Sequence, residues 1–186
     1  RLKINNLSEG HVMDVLYTAI TAWAGLITAL IACYAIWVDG KRSRFSQGLD
    51  ILLKFSNEFN SDSMKAARRQ VALTCLKKTK KLNDVQKANL ESEILNHFQT
   101  VGLLLRKKIL DPELTWSEYS YWVRYYSRLS RGTIDSFREE DPTAWEDVDW
   151  MMKQFSKLDK KYKIYSNKED EDQKEVDEFL QSESEL

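Results

Sequence analysis

The 24 residues from Val15 to Val38 carry no charge, and this constrains the chain more than any other feature. As a helix the run reaches about 36 Å, enough to cross a hydrocarbon core of about 30 Å with some tilt. It is expected to span a bilayer. Tyr17 near one end and Tyr34 and Trp37 near the other stand at interfacial depth, while Trp23 lies deeper. The run exceeds the apolar core of a signal peptide, and Asp39-Gly40-Lys41-Arg42 reads as a stop-transfer boundary, so the span is expected to be retained. Lys41, Arg42 and Arg44, with Lys54 further on, outnumber Arg1 and Lys3 on the other side, which predicts an outer N-terminus and a cytoplasmic C-terminal domain. Cys33 within the span and Cys75 beyond it suggest neither a disulfide nor a metal site, in keeping with a reducing compartment.

One face of the span departs from what lipid requires. His11, Asp14, Thr18, Thr21, Gly25, Thr28, Ala32, Ala35 and Asp39 recur at alternating steps of three and four and form one seam of a helix. A lone anchor, surrounded equally by lipid, has no need of such a seam. Two uses remain. In a ring of several copies, Asp14, Thr18, Thr21, Gly25, Thr28, Ala32 and Asp39 would line a lumen, with acidic residues at both mouths favouring cations. Alternatively, the same residues form a small-residue packing face between helices.

The remaining chain is expected to be all-α. Only 6 Gly and 2 Pro occur in 186 residues, and no strand pattern or internal repeat competes with helical spacing. Residues 1–14 read as a short extracytoplasmic arm, 15–38 as the transmembrane helix, 39–165 as a cytoplasmic helical bundle and 166–186 as an acidic tail. Within the bundle the spacing predicts helices over 44–59, 62–80, 83–110, 115–130 and about 145–158. Thr115-Trp116-Ser117-Glu118 has the form of a capping box at the start of the fourth. The tail is expected to stay mobile, with Val176, Phe179 and Leu180 free to dock on a partner.

Charge is uneven although the net value is only -1. Eleven basic residues lie between Lys41 and Lys81 against Asp50, Glu58 and Asp62, whereas nine acidic ones lie between Lys168 and Glu185. Lys65, Arg68, Arg69, Lys77, Lys78, Lys80 and Lys81 are the candidate contacts to nucleic acid or anionic lipid, against the plainer reading of a solvated helix face.

Catalytic signals are weak. There is no phosphate-binding glycine loop, zinc-binding helix pair or nucleophile elbow, and no catalytic residue, metal or cofactor is expected. His97 lies close to the apolar side of its helix, where a hydrogen-bonded core histidine is the default; with Arg106, or with Arg68 or Arg69 across helices, it is the one alternative ribonuclease site. Trp116, Tyr119, Tyr121, Trp122, Tyr125 and Tyr126 read as core or interface before they read as a base-stacking platform.

The run from His97-Phe98-Gln99-Thr100-Val101-Gly102 to Asp111, then Tyr121-Trp122-Val123-Arg124-Tyr125-Tyr126 and Pro142-Thr143-Ala144-Trp145, resembles a bacterial family of single-span proteins with an uncharacterised helical domain. Within it, size and plan resemble the small membrane accessory proteins of type VI-B CRISPR systems, the RNA-targeting class. The resemblance implies a helical domain related to the HEPN-like toxin-ribonuclease superfamily, and a homo-oligomeric ring of inner-membrane spans around a pore. It further implies antiviral defence alongside an RNA-guided nuclease, with depolarisation as the output. The superfamily's ribonuclease signature, an arginine followed four to six residues later by histidine, is absent before both His11 and His97. The expectation is therefore a non-enzymatic assembly domain; a tethered ribonuclease and a non-conducting membrane adaptor are the rivals.

Overall fold

The structure, a computed structural model, describes residues 6–77, 82–163 and 173–186. They form seven helices and no strand: α1 (Asn6–Phe59), α2 (Asp62–Cys75), α3 (Asp84–Arg106), α4 (Pro112–Leu129), α5 (Arg131–Glu140), α6 (Glu146–Tyr162) and α7 (Gln173–Ser184). The chain divides into two compact units at Ser46 and Gln47.

The first unit is the apolar part of α1. From Ile20 on, this helix is long and apolar enough to cross a membrane, and none of its apolar 18-residue window is buried within the protein. Ile20, Trp23, Leu26, Ile27, Leu30, Ile31 and Ile36 are all exposed, Ile36 by 73%. Contiguous apolar surface of this extent marks contact with a membrane or with another protein.

The second unit is a helical bundle built around Ile94, Leu95, Phe98 and Val101 of α3, all fully buried. Each such side chain contributes about 1.5–3 kcal/mol on leaving water. Phe59, Tyr119, Val123, Tyr126, Val148, Met151 and Phe155 close around them. Asn83 opens α3 with a reciprocal capping box to Gln86. At its other end Ile109 N–H bonds Leu104 O at 3.0 Å and Lys108 N–H bonds Leu105 O at 2.9 Å, a Schellman closure with Lys108 at φ 59° where glycine is usual. Gly48 packs against this turn: a Cβ there would sit 2.5 Å from Ile109 O.

Several expectations are corrected. The fourth helix begins earlier, because Asp111 Oδ1 accepts from the amides of Glu113 and Leu114 and Pro112 occupies the first turn. Thr115 lies buried inside α4, bonding Asp111 O at 2.7 Å, while Glu118 accepts from Ser56. α5 was not anticipated; Ile134 is its sole buried apolar anchor. The second helix ends at Cys75, with Lys77 at φ 57°. The largest difference is at the C-terminus: Val176, Phe179 and Leu180 of the expected mobile tail are buried as part of the core cluster, and α7 packs on α2. Its composition is acidic, but its apolar residues fall on one face.

Candidate functional site

On the apolar part of α1, the seam residues keep their hydroxyls within the helix. Thr21 Oγ1 donates to Tyr17 O at 3.0 Å and Thr28 Oγ1 to Ala24 O at 2.8 Å. Such bonds let a threonine face lipid or a neighbouring helix without an unpaired donor. Gly25 lies between them with nothing within 4 Å of where its Cβ would be. Ala32 and Asp39 are exposed on the same seam, while the side chains of Asp14 and Thr18 lie outside the described residues. Lys41 Nζ sits 4.0 Å from the Trp37 ring centroid, a cation over an aromatic ring at the end of the run.

The described members of the basic cluster differ in exposure. Arg69 and Lys77 are exposed and Lys65 is half-buried, while Lys78, Lys80 and Lys81 lie outside the described residues. Arg68 is a correction to the sequence reading: it is 2% exposed and cannot touch an external phosphate or headgroup in this state. Its Nε donates to Glu183 Oε2 at 2.7 Å and its Nη2 to Glu183 Oε1 at 3.0 Å. Nη1 donates to Phe59 O at 3.0 Å, and the guanidinium lies 4.2 Å from the Phe59 ring centroid. Tyr126 OH and Trp122 Nε1 also donate to Glu183, at 2.7 and 3.3 Å. Burial, reinforced by this carboxylate, holds the Tyr126 phenol well above its usual range. Glu183, Trp122 and Tyr126 were not expected to act together. The signal that could have joined them is the spacing of Val176, Phe179, Leu180 and Glu183, one face of an amphipathic helix.

His97 is a core residue. It stacks on Phe59 at 5.2 Å and lies edge-on to Phe55, with Nε2 3.4 Å from Tyr119 OH. Burial, and secondarily the positive Arg68, lower its pKa to about 4, so it is neutral at physiological pH. Arg106 is not brought to it. Nine residues along α3 place the two about 13 Å apart axially, and Arg106 instead pairs with Glu146 at 3.0 Å and Asp147 at 2.9 Å.

A family model described as a domain of unknown function, DUF4760, matches residues 22–155. The chain belongs to this family. No curated protein and no solved structure matches it.

The DUF4760 match takes in most of the apolar run and the bundle as far as Phe155, and stops short of α7. Within it, α3 and α6 are locked by a two-point amide clasp: Gln99 Nε2 donates to Asp147 Oδ2 at 2.9 Å, and Asp147 N–H donates to Gln99 Oε1 at 3.0 Å. This supplies a partner for the first turn of α6, whose N-cap, Trp145, makes no side-chain cap and has φ 53°. Trp145 is held there by a 2.9 Å bond from Nε1 to Asn96 Oδ1 and by an edge contact with Phe137. Beside the clasp lies a surface hollow of about 640 Å³ lined by polar residues, including Asn89, Gln99 and Asp141, and by Phe137, Ala144 and Trp145. Among the described residues no group of His, Cys, Asp or Glu is placed to hold a metal.

Proposed function

We propose that this DUF4760 protein is a single-pass protein of the bacterial inner membrane, with its N-terminus outside and its bundle in the cytoplasm. Its copies assemble through the Thr21-Gly25-Thr28-Ala32 seam into a pore that depolarises the membrane. The observation that carries this reading is the seam itself, a line of small and hydroxylated side chains on a helix whose other faces, from Ile20 to Trp37, carry exposed apolar side chains. A single span cannot enclose a path for ions, so conduction requires a closed ring of about five or more copies. The resemblance to type VI-B accessory proteins supports antiviral defence as the setting and an RNA-guided nuclease as the cytoplasmic partner. In this reading the bundle is a HEPN-like domain serving assembly and sensing, with no catalytic step.

Two measurements test it. The mass of the solubilised protein should correspond to a ring; a stable monomer or dimer would return the seam to helix packing. Leucine at Thr21, Gly25 and Thr28 together should abolish ion flux in reconstituted vesicles while assembly persists, and unchanged flux would sink the lining assignment.

A further inference from the structure

The Glu183 carboxylate is bound in the manner of a ligand. Arg68 offers it two parallel donors, Tyr126 and Trp122 add one each, and the Phe59 ring flanks the guanidinium. All four donors come from the bundle, and the acceptor comes from α7. Beside this cage the same surface provides an apolar slot, in which Phe179 stacks on Tyr125 at 4.5 Å and meets Tyr126 edge-on. Val176, Phe179, Leu180 and Glu183 fill slot and cage at i, i+3, i+4 and i+7, the register by which an amphipathic helix enters a groove. Charge agrees with shape: α2 carries Lys65, Arg68 and Arg69 against Asp62, whereas residues 173–186 carry five acidic side chains against Lys174. The buried pair fixes one register, since a helix shifted by one residue would leave Arg68 without its carboxylate.

We propose that the α2–α4 surface is a receptor groove for an acidic amphipathic helix, and that in the assembled protein its occupant is α7 of a neighbouring copy. The second clause rests on the assembly reading above. The groove sees only a helix and a carboxylate, and both are identical in every copy. The ten residues 163–172 that join α6 to α7 can extend over about 30 Å, a reach comparable to the width of a small domain. Copies held side by side by their spans present α7 to one another at the millimolar effective concentrations of a short tether. Exchange then links bundle to bundle around the ring without any new contact surface.

The test uses the full chain in lipid nanodiscs, with a photoreactive diazirine analogue of leucine in place of Leu180, a side chain only 5% exposed. After irradiation the protein is resolved by denaturing electrophoresis and the joined peptides are sequenced, alongside the mass of the unirradiated assembly. The expected result is a covalent dimer in which residue 180 is joined to α2 or α4 of another chain, falling several-fold in yield when Glu183→Gln is added. Adducts confined to one chain within a multimeric assembly would overturn the exchange and leave the assembly reading intact. A monomeric mass would overturn both. Adducts elsewhere than α2 and α4 would overturn the groove itself.

Discussion

The apolar part of α1 and the helical bundle satisfy their polar groups in opposite ways. In the first, the hydroxyls of Thr21 and Thr28 bond to carbonyls four residues back in the same helix. In the second, buried polar groups find partners far along the chain: Arg68 with Glu183, Asp159 with Trp116 and Arg124, Gln99 with Asp147. Local satisfaction leaves a helix free to enter lipid and keep a face available for another copy. Distant satisfaction fixes one arrangement of helices, because each buried group is costly unless a particular partner arrives.

The largest expected effect tests that cost. Arg68→Ala leaves Glu183 buried without its cation and should destabilise the bundle by about 3–5 kcal/mol, read as a shift in the denaturation midpoint. Replacing both residues with methionine should recover most of the loss. If Arg68→Ala costs less than about 1 kcal/mol, the pair is not a key and the contrast between the two regions fails.

The next effect is a pH dependence confined to the bundle. The folded chain takes up a proton at His97 only near pH 4, whereas the unfolded chain does so near the ordinary value of 6.5. Above pH 6.5 both states are neutral there and the residue adds no pH dependence. Between 6.5 and 4 the unfolded state binds the proton preferentially, so stability falls as pH falls, by a total of about 3 kcal/mol, and the loss stops growing below 4. Denaturation midpoints at pH 7, 5.5 and 4 should show this limb in the wild type, and His97→Gln should flatten it.

What the sequence disclosed follows the same divide. The long apolar helix was legible because its order is one-dimensional: a charge-free length needs no knowledge of neighbours. The all-helical bundle was legible for the same reason. Arg68 was misread as surface charge because nothing local distinguishes a buried arginine from an exposed one when its partner lies 115 residues away. The fold of α7 was hidden by composition, since acidic residues on its outer face outweigh the few apolar residues that dock it. The start of α4 was misjudged between two capping signals four residues apart, and Asp111 followed by Pro112 prevailed over Thr115.

A smaller effect compares one substitution in both regions. At Gly102 a Cβ would stand 2.6 Å from the backbone carbonyl oxygen of Asp147, where α3 and α6 approach backbone to backbone. Gly102→Ala should therefore cost about 1–3 kcal/mol as the helices are forced apart. At Gly25 the same Cβ meets nothing within 4 Å, and alanine is the better helix former by up to about 1 kcal/mol. Gly25→Ala should leave helicity, measured by circular dichroism, unchanged or raised. Equal losses at both sites would show that the seam is already filled by a neighbouring helix.

The smallest structural effect is expected from Thr21→Val with Thr28→Val, and for that reason it discriminates most finely between lumen and packing face. Valine keeps the branched shape, and the Tyr17 and Ala24 carbonyls that lose a hydroxyl still accept from amides along the helix. Insertion and helix stability should change by less than about 0.5 kcal/mol. A seam used only for packing would assemble as before, and a tight vesicle would stay tight. In a wet lumen the hydroxyls are the groups that replace part of an ion's hydration shell, and each can turn from its own helix toward water. Single-channel conductance should then fall several-fold at constant oligomer mass. Loss of conductance together with loss of mass would assign the threonines to assembly, because a group that merely lines a path can be removed without dissolving the ring around it.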